Sequence, residues 1–506
     1  MKKDVAYSPA DLPLDGIAQS VLKEIIPPLP QARRSRLIIL GCGVKIHFPW
    51  ADTCRRYDAA TNKIRDSLDP DLFEVVRSNA PYEDADAMIN FLDGQLHAGI
   101  DGVILFHASY TTGEIGSLLG RWLSLHKIPL LSWSFPDEHG ERLAANSMCC
   151  QNFLLGIFNT MGVKYAWFRH PVEKEIHPMV PRFARSARAV SRFKTGRLLN
   201  LGAARVPGFY DCELDELSVM QRFGTRIDRT NIEAAFDRAK KFDDHTLRKL
   251  RDAITESPQC SFNNVPDEQI FQTLRLALGT LDLAAENNYI GCAVKSWPEM
   301  FDVYNCASDA AVSLMNDFGL CTTEEGDMNG LMSSMALFLI SEGKAVPTMM
   351  DLSIADLETN RLGIWHCGSS ATRLLRNGTT LEVRTHSILE NADPDTAVGM
   401  MFEFLLELGD VTMVRYQYPD SGRMYGWEGT LRDCTAAFRG TYGELEPKSP
   451  LTVDTIMGTI MDNGLDHHWS LGYGSWLEDL RMMNHWLDVE EIKHSNAGGM
   501  SGFSSC

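Results

Sequence analysis

SRLIILGCG, residues 35–43, decides the first reading of the chain: the apolar run Leu37-Ile38-Ile39-Leu40 enters a turn at Gly41-Cys42-Gly43. A run this short, bounded by glycine, suits a strand buried on both faces inside a parallel sheet. Working outward, FEVVRS at 73–78 reads as a second strand, DADAMINFLDGQLHAG at 84–99 has helical spacing, and DGVILFHAS at 101–109 returns as a strand. A helix around 113–126 and the strand IPLLSWS at 128–134 complete a βαβ repetition. In such sheets ligand contacts gather at the carboxyl ends of the strands.

The same pattern resumes with a helix at 151–162, the strand YAWF at 165–168 and a basic helix near 182–195. GRLLNLGAA at 196–204 repeats the run-into-glycine motif, and polar helices follow through 211–287. After about 375 the texture changes. LEVRTHSIL at 381–389, VTMVRYQY at 411–418 and GTLRDCTAAFRGTY at 429–442 alternate as strands do, with turn residues between them. The expected fold is α/β: two doubly wound, Rossmann-like α/β domains followed by a β-rich, barrel-like C-terminal domain. The boundaries implied are an N-terminal arm at 1–34, which carries Pro27-Pro28-Leu29-Pro30, α/β domains at 35–150 and 151–352, and the β-rich domain at 353–506.

Bulk properties agree, because 506 residues exceed one ordinary core and imply about two to four domains. A net charge of −19 argues against a broad surface for nucleic acid. The run MALFLI at 335–340 falls far short of the roughly 20 residues a membrane span needs. No apolar segment follows Lys2-Lys3, and the 12 cysteines contain no C-x-x-C pair, so a reduced, cytoplasmic protein is expected. No dinucleotide, P-loop or G-x-S-x-G fingerprint sits between a strand and a helix. The run Arg182, Arg185, Arg188, Arg192, Lys194, Arg197 reads as a solvated helix face or a subunit contact.

Chemistry concentrates between Lys295-Ser296-Trp297-Pro298 and His366-Cys367-Gly368. TTEEGDMNG at 322–330 sets Glu324, Glu325 and Asp327 in a glycine turn before an apolar helix at 331–340, where acidic groups are electrostatically favoured. AVPTMMD delivers Asp351 at the end of an apolar segment, and DHHWSLGYG at 466–474 offers His467 and His468. Two carboxylates and an imidazole form a hard, oxygen-rich set suited to Mn²⁺, or to Mg²⁺ or another divalent cation. With substrate oxygens in its open positions, such a set meets the needs of aldose–ketose isomerisation, in which the ene-diolate is stabilised while a carboxylate moves a proton between C1 and C2.

Each residue also has a plainer reading. Glu325 could be a solvated turn carboxylate, and Asp351 could open a helix, since Ser353-Ile354-Ala355-Asp356 has a capping-box pattern. His467-His468 could be surface or satisfied core histidines, Trp297 and Trp365 core residues rather than sugar platforms, and His366-Cys367 a packed strand end.

The E-G-D turn at 325–327 with Asn329-Gly330, Asp351, the His-Cys-Gly of 366–368 and the late His-His resemble the L-fucose isomerase superfamily, which includes L-arabinose isomerases. The likeness covers most of the chain in layout and is specific around 295–370 and 466–474. It implies that Glu325 and Asp351 are metal ligands and the proton-transfer pair, with His468 the third ligand. It leaves Glu324 competing with Glu325, and His467 with His468. Trp297 and His467 are substrate-binding candidates. The resemblance further implies a homo-oligomer, a hexamer by analogy, and a free sugar substrate such as L-fucose, arabinose or an anionic hexose such as sulfoquinovose. A non-catalytic sugar-binding or regulatory protein, or a metal-dependent aldolase or epimerase, are the competing expectations.

Overall fold

The computed structural model describes residues 15–137 and 139–495; residues 1–14 of the expected arm lie outside them. It is mixed α/β, with two parallel sheets and a larger mixed sheet. The chain forms two compact units, one of Gln31–Arg192 with Met482–Leu487, the other of the stretch up to Pro30, Phe193–Arg481 and the segment from Asp488 onward.

In the first unit, strands β1 (Ser35–Cys42), β2 (Phe73–Arg77), β3 (Gly102–His107), β4 (Leu130–Ser134) and β5 (Ala166–Arg169) form one sheet in the order β2-β1-β3-β4-β5. All its pairings are parallel. The apolar run of β1 shows why. Leu37 and Ile39 enter one core with Ile104, Phe106 and Trp133, while Ile38, Leu40 and Cys42 enter the other with Val103, Leu105 and Leu119. Both faces are covered by helices, so successive side chains are all apolar, and each buried aliphatic one contributes roughly 1.5–3 kcal/mol. The helix Ser147–Thr160 connects β4 to β5, so this sheet extends past residue 150. In the basic helix Met179–Thr195, Arg188 is half-buried and donates to the Arg33 carbonyl and to Ser35 Oγ.

In the second unit, β6 (Arg197–Leu201), β7 (Arg226–Thr230), β9 (Tyr289–Val294) and β10 (Cys321–Thr323) make a four-stranded parallel sheet ordered β10-β9-β6-β7. Within 211–287, read as helical throughout, β7 and the short strand β8 (Cys260–Phe262) interrupt the helices. The ten-stranded mixed sheet contains β8, β11 (Thr348–Asp356), β12 (Arg361–His366), β13 (Leu381–Thr385), β14 (Gly399–Leu405), β15 (Gly409–Tyr416), β16 (Arg423–Arg432), β17 (Thr441–Pro447), β18 (Trp469–Tyr473) and β19 (Glu490–Glu491). Antiparallel pairings run from β16 through β15, β18, β11, β12 and β17 back to β16, closing a ring. No helix opens at Ser353: β11 continues to Asp356, because its backbone is taken up by β12 in preference to a local cap. Among the described residues no helix is long and apolar enough to cross a membrane.

Candidate active site

Strand β10 ends in the turn that the sequence singled out. Glu325 adopts a left-handed backbone, φ 59°, which costs about 1–2 kcal/mol for a residue with a Cβ. Surrounding bonds hold it there: its N–H donates to Ser296 Oγ at 3.1 Å, and its carbonyl accepts from Val206 N at 3.0 Å. Gly326 follows at φ 65°, with a Cβ position only 2.4 Å from the Ala204 carbonyl oxygen, so no other residue fits. Asp327 then caps the helix Met328–Ile340, accepting from Gly330 N at 2.7 Å. That helix is apolar on nearly all sides because it is buried on nearly all sides.

Sheet register brings the other two residues together. Strands β11 and β18 pair Met349 with Ser470 and Met350 with Trp469, so the next step of the ladder sets Asp351 opposite His468. His468, 2 % exposed, lies with Nε2 at 2.9 Å from Glu325 Oε2 and 3.9 Å from Asp351 Oδ1. Both of those oxygens are buried, and neither accepts a well-formed hydrogen bond. Buried carboxylate oxygens without partners are costly, and a bound cation is one way to satisfy them.

On the far side of the imidazole, Nδ1 donates to Asp327 Oδ2 at 2.9 Å. This holds the ring with Nε2 turned toward Glu325 and Asp351, as carboxylates behind metal-binding histidines do. Asp327 is fixed by Arg415 of β15, whose guanidinium meets its two oxygens at 2.6 and 3.2 Å, with both side chains fully buried. Burial acts to raise the Asp327 carboxyl, but Arg415 and His468 hold it well below the usual carboxylate range. Burial likewise opposes charge on Glu325, and His468 outweighs it, so Glu325 is lowered. Burial would lower His468 too, yet its contacts with Asp327, Cys212 and Glu325 raise it well above the ordinary histidine value. The pocket thus favours a positive charge at the point where the two carboxylates face the ring.

The remaining candidates separate. Glu324 is turned away, accepting from Ser308 Oγ at 3.0 Å; burial and the neighbouring Asp309 push its carboxyl well above the usual value. His467 is exposed and bonds through Nδ1 to Asp211 Oδ2 at 2.6 Å. Its ring lies 3.8 Å from that of His468, and it meets Phe209 edge-on. Phe209 also meets Trp297 edge-on at 5.6 Å, so Trp297 sits one ring removed from His467. Trp365 is the register partner of Asp351 and spends its indole N–H on the Arg439 carbonyl.

Other contributors are not marked as site residues by the sequence. His366, 2 % exposed, has a ring nitrogen close enough to share a ligand with Glu325 and His468. Asp327 and Arg415 set the imidazole through a contact that no local motif announces. Cys212 lies 3.7 Å from His468 Nδ1, and burial, with Asp327 beside it, pushes its thiol up to about 12. It stays protonated, so the donor set remains hard.

No family model matches the chain. A protein from Alkalicoccus urumqiensis named sulfoquinovose isomerase is 25 % identical over 78 % of this chain and 86 % of its own length. One of the same name from Priestia aryabhattai is 25 % identical over 79 % of this chain and 87 % of its own. Among solved structures, an arabinose binding protein from Geobacillus stearothermophilus aligns with 58 % of this chain and 95 % of its own, at 9 % identity and TM-score 0.17. At that score the likeness carries no structural argument.

Proposed function

We propose that the chain is an aldose–ketose sugar isomerase that moves a proton between C1 and C2 of a free aldose through an ene-diolate. The observation that carries this reading is the convergence of Glu325 Oε2, Asp351 Oδ1 and His468 Nε2, with both oxygens lacking well-formed hydrogen bonds. Similarity to named sulfoquinovose isomerases over about four fifths of the chain supports the reaction class.

Glu325, Asp351 and His468 would hold a divalent cation, Mn²⁺ in the first instance; Glu325 and His468 share a donor group within 4.8 Å with His366, a further donor, and Asp351 lies 3.9 Å from His468 Nε2. Such an ion supplies the positive charge that an ene-diolate needs. Glu325 and Asp351 serve as the pair that takes and returns the proton. Asp327 and Arg415 keep the imidazole aimed, and the Phe209–Trp297–His467 group offers ring faces and a polar edge to the sugar.

The named relatives favour a hexose sulfonated at C6 over L-fucose or arabinose. The two parallel sheets would serve as the doubly wound lobes of the L-fucose isomerase type, with the closed ring of strands as the barrel-like part. A cytoplasmic homo-oligomer fits the same resemblance.

Incubating the purified protein and Mn²⁺ with sulfoquinovose, L-fucose and D- and L-arabinose, and following ketose formation by NMR, tests the proposal. Conversion of sulfoquinovose with its carbon skeleton intact is expected. Cleavage into shorter fragments, or full turnover after exhaustive chelation, would overturn it.

A further inference from the structure

The first unit contains a second cluster of donor groups that the isomerase chemistry does not use. Its sheet order changes direction at β1 and β3: β1 continues outward to β2, while β3 continues to β4 and β5. In open α/β sheets ligands lie in the crevice beyond the carboxyl ends of the strands at such a point. Here the last residues of those two strands are Cys42 and His107, register partners across the ladder. The first turns of the helix after β4 bring Cys150 to the same place. All three side chains are fully buried.

The distances suit a small ion. His107 Nδ1 is 3.3 Å from Cys150 Sγ and 3.7 Å from Cys42 Sγ, and the three donor atoms lie within 4.8 Å of one another. Tetrahedral coordination with Zn–S of about 2.3 Å and Zn–N of about 2.0–2.1 Å separates sulfur from nitrogen by about 3.6 Å. The two observed separations fall on either side of that value.

The surroundings are those of a ligand set. His107 Nε2 is 2.8 Å from Ser132 Oγ, which also accepts from Gln151 Nε2 at 3.0 Å, so the ring is held with Nδ1 facing the sulfurs. On the loop leaving β3, the hydroxyls of Ser109 and Thr111 are buried with no hydrogen-bond partner.

We propose that Cys42, His107 and Cys150 form a binding site for a thiophilic divalent ion of the zinc class, acquired as the first unit folds. Full burial closes the site to exchange, so the ion loads with folding and ties the ends of β1 and β3 to the helix that follows β4.

Cobalt(II) is the probe. Refolding the full chain under reducing conditions with Co²⁺ should give the near-ultraviolet charge-transfer absorption of a thiolate–cobalt bond, lost when Zn²⁺ is present in excess during refolding. The carboxylate–histidine set of the second unit has no thiolate and cannot produce it. The band should survive Cys212→Ser and Cys367→Ser and vanish in the Cys42→Ser/Cys150→Ser double variant. Should the double variant not fold, X-ray absorption on the wild-type protein refolded with one equivalent of zinc decides: two sulfur neighbours support the site, and a shell of only oxygen and nitrogen overturns it. Absence of the cobalt band in the wild type, or its persistence without Cys42 and Cys150, also overturns it.

Discussion

Asp327 and Asp317 are both fully buried aspartates in the second unit, yet they carry opposite electrostatics. Asp327 faces the Arg415 guanidinium and the His468 ring and is held well below the usual carboxylate range. Asp317, near the end of the helix Asp309–Phe318, accepts from the backbone and hydroxyl of Thr372 at 3.1 and 2.6 Å and from Arg373 N at 3.3 Å. Burial pushes its carboxyl up to about 6 despite those bonds and the Arg373 charge. Equal burial thus yields a permanent anion where a close cationic partner is present and a titrating acid where hydrogen bonds predominate. The candidate active site keeps its buried charge by pairing it.

The sharpest break of this contrast is in the chemistry. Glu325→Gln removes a proton acceptor from the charged side, and turnover in the ketose assay should fall by about 10²–10⁴-fold. Arg415→Met should make Asp327 resemble Asp317 in a harsher setting, because Asp327 and Asp466 lose their shared guanidinium. A loss of about 3–5 kcal/mol in urea unfolding is expected for a buried pair left half-made.

Asp317→Asn tests the opposite pole. The folded carboxyl at about 6 lies above its ordinary 3.8, so between those values the native state holds a proton that the unfolded chain has released. Stability therefore falls as pH rises through that window and levels off above it, with a total of about 3 kcal/mol. In the asparagine variant this slope in the urea midpoint should flatten; an unchanged slope would assign it to other groups. The smallest effect is expected for Thr372→Val, which deletes a hydroxyl that donates to Asp317 and accepts from Ile17 N. It should cost about 2 kcal/mol near neutral pH and move the Asp317 titration upward.

Much of this is legible in the linear chain, for identifiable reasons. The strands β1 and β3 announce themselves because burial on both faces demands an unbroken apolar run. The turn at 324–327 stands out because three carboxylates and a glycine crowd the start of a helix with almost no polar residue of its own. Ser353-Ile354-Ala355-Asp356 misleads, since a local cap pattern says nothing about a partner strand at 361–366. Asp327 is visible, but its role is not, because Arg415 is 88 positions away and only the folding of β15 against the helix start joins them. Cys42 and Cys150 lack any short spacing between them, and only the meeting of two strand ends with a later helix makes them neighbours.

The ladder between β11 and β18 has a consequence for change over time. Side chains alternate across a strand, so a single inserted or deleted residue ahead of Asp351 would carry its carboxylate to the opposite surface and leave His468 facing Met350 or Leu352 instead. The irregularity in β11 falls between Leu352 and Ile354, just beyond the carboxylate. Length variation is therefore tolerable on the outer part of this strand and forbidden on its inner part, and related chains that retain the chemistry should show gaps only on the outer side.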